Sequence, residues 1–235
     1  FAYTLYLLLN ADPNIDKTQI KHYVVKWYVM TTLTSRYITS PETVMDMDIK
    51  RIKERGFLNY FSEVEAANLS DTFWDIALVQ YLETSVINSP YFNLYLASQI
   101  HDADDALFTC GYKVNDLITV IGDVHHIFPK KYLVKNNFTP KQYNQVANFV
   151  YTEQATNIKV GAMAPTEYMA KVKSEISAGK TNLSTIDSEH LLNENLINND
   201  IPPNVEACTF SDYENFLTER RKLMAKKIKE YYENL

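Results

Sequence analysis

The sequence predicts a mainly α chain with a small β element, an α+β arrangement in which a helical region over 1–105 precedes a second domain over 106–235. Three observations carry this. Over the first hundred or so positions, apolar residues recur at helical spacing behind capping residues and prolines. Near Ala106 the texture changes to β-branched and aromatic residues broken by Gly111, Asn115-Asp116 and Gly122. The end of the chain returns to a long amphipathic helix.

In order along the chain, Asp16 is placed to cap a helix over 17–37, whose apolar stripe includes Val24, Trp27, Tyr28 and Leu33. Ser40-Pro41-Glu42 starts the next: a capping hydroxyl, proline at the first position, then an acid at the positive end of the dipole. Gly56 is its stop. Asp71 opens a helix through Phe73, Trp74, Ile76, Ala77 and Tyr81, and Ser89-Pro90 opens one through Leu94, Leu96 and Ile100. Residues 107–128 read as strand, turn, strand, and 148–152 as a further short strand. Helix returns from Pro165 to about Ser177 and again over 184–197, followed by a loop over 198–210. Ser211-Asp212-Tyr213-Glu214 has the form of a capping box for the terminal helix. That helix has an inner stripe of Tyr213, Phe216, Leu217, Leu223, Met224, Ile228 and Tyr231. Its outer face carries Arg220, Arg221, Lys222, Lys226, Lys227 and Lys229.

The 235 residues are ample for a buried core. The chain begins at Phe1, and its opening run 1–9 reads as the middle of a buried helix, so a fragment of a longer protein is expected. That run is too short to span a bilayer, no basic segment or cleavage site flanks it, and no other stretch is long enough; no membrane partner is expected. Two cysteines, Cys110 and Cys208, suit a reducing, cytoplasmic setting and cannot form a four-cysteine zinc site. The net charge of −6 argues against indiscriminate nucleic-acid binding, yet it is uneven: residues 121–180 hold eight lysines against four acids, a net of +4, and the remainder carries −10. The five glycines are not spaced as a phosphate loop, so no nucleotide is expected on this chain.

The chemistry-bearing run is Asp123-Val124-His125-His126-Ile127-Phe128-Pro129. Adjacent histidines at a strand end point to opposite faces, so one can hold a metal while its neighbour faces a substrate. Downstream stand Asn148 and Asn157, nine residues apart. An amide oxygen is a hard neutral ligand suited to Mg²⁺, and an asparagine can also tie down a loop through its backbone.

These residues, together with Gly161, Pro165 and Glu167-Tyr168, resemble the C-terminal HNH (ββα-metal) nuclease domain of GmrSD-type restriction endonucleases of bacterial phage defence. The likeness covers about 121–169, and Phe216-Leu217-Thr218-Glu219-Arg220-Arg221-Lys222-Leu223 resembles the end of the same domain. Residues 1–105 look like the helical region before it, with Ser35-Arg36-Tyr37 and Pro41-Glu42-Thr43 as further matches. The resemblance implies a divalent metal, Mg²⁺ with Mn²⁺ as the alternative, on His125 and Asn157. It implies His126 as general base, Asn148 bracing the loop that holds it, and Asp123 orienting His125 from behind. Where many such sites close with histidine this chain has Asn157, which disfavours zinc. DNA is the implied partner, with Lys130, Lys131, Lys135 and Lys159 against its phosphates. An N-terminal nucleotide-dependent module is the other implied partner, and its own motif is absent from this chain. The rival readings are an inactive DNA-binding or protein-interaction module with the same fold and a small-molecule phosphoesterase. His101-Asp102-Ala103-Asp104-Asp105 reads as a polar loop, with a cation site as its alternative.

Overall fold

The computed structural model describes residues 1–120 and 124–235. The protein is mainly helical with one two-stranded antiparallel sheet among the described residues. It divides into two compact units, 1–78 with 228–235, and 79–227. This division falls earlier than the change of texture near Ala106, so the helix behind Ser89-Pro90 belongs to the second unit.

The first unit is built from α1 (Ala2–Ala11), α2 (Ile20–Leu33), α3 (Pro41–Arg55) and α4 (Phe57–Asn68). Asp16 opens the second of these, accepting a bond from the Thr18 N–H ahead of a short 3₁₀ turn, Lys17–Gln19, but the helix ends at Leu33 rather than 37 and Tyr28, expected in its apolar stripe, is exposed. Ser40 does not cap α3 with its hydroxyl; it sits in the left-handed region and Pro41 alone starts the helix. Gly56, at φ +76, ends α3 and lets α4 start at once. The Trp27 ring lies within 6.1 Å of those of Phe57, Tyr60 and Phe61. Beneath them is Asp48, fully buried, which accepts bonds from Arg36, Tyr37 and Tyr60. A carboxylate can be buried only when paired and bonded in this way. Burial first, then the bond to Asp48, pushes the Tyr60 hydroxyl up to about 12.

The second unit holds α6 (Pro90–His101), α7 (Val114–Val120), β1 (His125–His126), α8 (Lys130–Lys135), α9 (Pro140–Tyr143), β2 (Phe149–Val150), α10 (Gln154–Val160), α11 (Pro165–Ser177) and α12 (Glu189–Asn198). A helix over Leu78–Tyr81, α5, leads in, preceded by a wide π-type turn at Phe73–Ala77. The last helix, α13 (Tyr213–Glu233), gives residues 213–227 to this unit.

Five expectations are corrected by the structure. Among the described residues of 107–128, only His125–His126 is a strand, and Val114–Val120 is a helix where the first strand and turn are expected. Val114 and Leu117, three apart, are buried with Ala106 and Tyr151, and Asp116 accepts a bond from the Lys113 N–H, so this β-branched segment closes a helical turn. Between Asp105 and Lys113 there is only a single antiparallel bridge. Helix α12 starts at Glu189 rather than 184, because Ser188 caps it. The capping box of the terminal helix is Thr209 with Asp212, not Ser211 with Glu214, and a 3₁₀ turn over Phe210–Asp212 precedes α13. Finally, Arg220 and Arg221 are not on an outer basic face: Arg220 follows Phe216 by one turn and is buried outright, and Arg221 is 8% exposed. Tyr232, rather than Tyr231, completes the buried stripe.

Candidate functional site

The site is built on the sheet. Strands β1 and β2 pair antiparallel, with His125 opposite Val150 and His126 opposite Phe149. Helix α10 follows β2 after a short turn and carries Asn157 one turn in. An open cleft of about 390 Å³ is lined by His125, His126, Lys130, Lys131 and Asn157, with Pro129, Ile158 and Gly161 along it. The adjacent His125 and His126 and the distant Asn157 thus line one cleft, and all three are half-buried.

The loop after His126 is held at every backbone group. Asn148 is fully buried, and its Oδ1 accepts a bond from the Phe128 N–H at 2.8 Å. Its Nδ2 donates to the carbonyls of Phe128 at 3.2 Å and Tyr143 at 3.1 Å. The Asn148 carbonyl takes the Ile127 N–H, and the Tyr168 hydroxyl donates to the Ile127 carbonyl. A single asparagine can satisfy both an N–H and carbonyls because its amide has both donor and acceptor ends. Arg220 steadies the other side of Asn148: its Nη1 donates to the carbonyls of Ala147 at 3.0 Å and Phe149 at 2.6 Å, and its Nη2 to that of Asn199. The sequence places Arg220 among the surface cations, and nothing local distinguishes it from the cations around it except its register with Phe216.

His126 is wedged edge-on between Phe149 and Tyr143, with ring centroids 5.2 and 6.1 Å away. Its Nε2 lies 3.0 Å from the Asn144 Oδ1. Burial is the main cause that holds its pKa below the usual imidazole range; the Asn144 bond opposes this, and Lys130 and His125 add to it. The ring is therefore neutral near pH 7, the state in which it accepts a proton. Asn144 was not singled out by sequence, since an asparagine closing the short α9 looks like an ordinary turn residue.

The remaining candidates are dispersed. Lys130 and Lys131 line the cleft, and the Lys130 ammonium stands over the Tyr143 ring at 5.4 Å. Lys135 is exposed at the far end of α8 and does not line the cleft. Lys159 donates to the Asn182 carbonyl. Asp123 lies outside the described residues. In the 101–105 segment the cation is a side chain: Lys227 sits 2.7 Å from Asp104 and 3.4 Å from Asp102.

Among the described residues, no group of three or more His, Cys, Asp and Glu gathers as a metal cluster. His125 and Asn157 offer two neutral donors on an open cleft. That set fits Mg²⁺, which keeps several of its own waters, better than a closed structural zinc site, which takes four protein ligands. No helix among the described residues is long and apolar enough to cross a membrane. No family model, curated protein or solved structure matches the chain.

Proposed function

We propose that the second unit is an HNH-type, metal-dependent DNA endonuclease, a phosphodiester hydrolase of bacterial restriction and phage defence related to the GmrSD-type enzymes. The observation that carries this reading is the shared lining of one cleft: two histidines from β1, two lysines from α8, and an asparagine from α10 behind β2. The succession of β1, β2 and α10 is the arrangement a ββα-metal site requires. The open cleft suits a strand better than a small closed substrate.

His125 and Asn157 would hold a divalent ion, Mg²⁺ or Mn²⁺, in the cleft they line. When bound, such an ion supplies Lewis acidity toward a phosphate oxygen and the departing 3′ oxygen. His126, neutral and oriented, takes the proton of the attacking water. Asn148 keeps the loop behind His126 from shifting as the strand enters. Lys130 and Lys131 pair with flanking phosphates, which sets register without reading bases. The products carry 5′-phosphate and 3′-hydroxyl ends.

The test is cleavage of plasmid and linear DNA by the full chain with Mg²⁺, with Mn²⁺ and with chelator, beside His126→Ala. Metal-dependent cutting that falls by about 10²–10⁴-fold in the variant is the expected result. Equal cutting by the variant removes His126 from its role. DNA binding with no cutting under any metal points instead to an inactive module.

A further inference from the structure

We infer that Asn144 is a positioning residue that fixes the tautomer of His126, keeping the proton on Nε2 and leaving the lone pair on Nδ1 to receive the proton of water. The geometry allows one assignment. A carbonyl oxygen of an amide only accepts, so the ring nitrogen 3.0 Å from the Asn144 Oδ1 must be the one that carries hydrogen. A neutral imidazole has one N–H, which leaves Nδ1 as the acceptor. The ring cannot turn away readily, because Phe149 and Tyr143 present their rings at steep angles of 86° and 67° to it.

Asn144 is itself placed by the same residue that places His126. Its backbone N–H bonds the Pro140 carbonyl, closing α9. The carbonyl just before it, that of Tyr143, accepts from the Asn148 Nδ2 at 3.1 Å and from the Tyr213 hydroxyl at 3.3 Å. The other Nδ2 bond of Asn148 runs to Phe128, two residues beyond His126. One buried amide thus registers the segment that carries the base against the segment that orients it. An amide at this position orients the imidazole without adding a second negative charge to a cleft meant for phosphates.

The consequence for turnover rests on the proposed role of His126, whereas the tautomer does not, and the two are read separately. The full chain with ¹⁵N-labelled histidine is examined by long-range ¹H–¹⁵N correlation at pH 8, where the two neutral tautomers give different patterns. The parent is expected to show the Nε2–H form for His126. Asn144→Ala should show a mixture of both forms, and Asn144→Asp, which keeps an acceptor oxygen in place, should restore the single form. In DNA cleavage, Asn144→Ala should lower kcat by about 10–100-fold with KM little changed, the size expected for a group that orients a reacting residue from behind. Asn144→Asp should recover most of that loss, and circular dichroism should show all three chains equally folded. An Nδ1–H pattern in the parent, or an unchanged pattern in Asn144→Ala, overturns the tautomer assignment. A changed pattern with unchanged kcat overturns the positioning role. A parent that cuts no DNA sinks the nuclease reading while the spectra still decide the tautomer.

Discussion

At the scale of single residues, two buried side chains bear most of the consequence. Asn148 makes three bonds to backbone groups that have no other partner of their own element. Asn148→Ala leaves the buried N–H and carbonyl of Phe128 without a partner, at roughly 1–3 kcal/mol for each unsatisfied group, while the Tyr143 carbonyl keeps the Tyr213 hydroxyl. Its stability to urea should therefore fall by about 3 kcal/mol or more. Asn148→Asp should be no better, since its second oxygen would face two carbonyls instead of donating to them. A variant with parental stability would show that these bonds are dispensable. Asp200 behaves oppositely. Burial is the main cause that raises its carboxyl from 3.8 to about 6, with Lys227 and Arg220 only partly offsetting it. The folded chain therefore holds this proton more tightly than the unfolded chain, and stability falls as pH rises from about 4 to about 6, then levels. A shift of this size corresponds to about 3 kcal/mol. Asp200→Asn should thus be more stable than the parent at pH 7.5 by up to about that amount, with the gain gone near pH 4. Asparagine also tolerates the φ of +55 found at this position. Paired urea titrations at the two pH values check the sign, and an equal gain at both would refute the linkage.

At the scale of elements, the cleft depends on how α10 ends. Gly161 stops it at φ +59 and ψ −104, a conformation that side chains avoid, and an added Cβ would come 3.4 Å from the Ile158 carbonyl. Gly161→Ala should cost about 1–2 kcal/mol from backbone strain. Because Asn157 stands one turn earlier, the variant should lose affinity for the proposed Mn²⁺ out of proportion to that cost, which calorimetric titration can read. Unchanged affinity would mean that α10 holds Asn157 without its cap. Much of this element plan is legible in the sequence, and the reasons are local. Asp16, Gly56, Ser89-Pro90 and Pro165 act on the chain within one helical turn, so each start or stop can be read from a few letters. Asn148 shows in the spacing of the motif. What was not legible is decided at a distance. Val114–Val120 carries strand-like residues yet is helical, because Ala106 and Tyr151 bury its three-residue repeat. Arg220 looks like its charged neighbours until the carbonyls of Ala147 and Phe149 are seen beside it. Asn144 carries no signal at all until His126 is folded against it.

At the scale of the whole molecule, charge and order of assembly matter. The chain is acidic, with a net charge of −6, so the proposed attraction to DNA is local to the cleft where Lys130 and Lys131 stand. Each neutralised phosphate steepens the fall of log affinity with log salt by about 0.9 on duplex DNA. Replacing both lysines by alanine should flatten that slope by roughly one to two units with little change in sequence preference. An unchanged slope would show that the phosphate track runs elsewhere. The terminal helix offers less to such a track than its composition suggests, since Arg220, Arg221 and Lys227 are engaged within the second unit and Lys222 pairs with Glu219. The grip of Arg220 has a further meaning in time. Its bonds to Ala147 and Phe149 close over 73 and 71 residues, so both partners are made long before it. A chain being synthesised exposes both histidines and Asn148 well before the residue that steadies them exists. The strand paired with the two histidines is braced only once synthesis has passed Arg220, so a growing polypeptide carries the letters of the site before it carries the bonds that hold them.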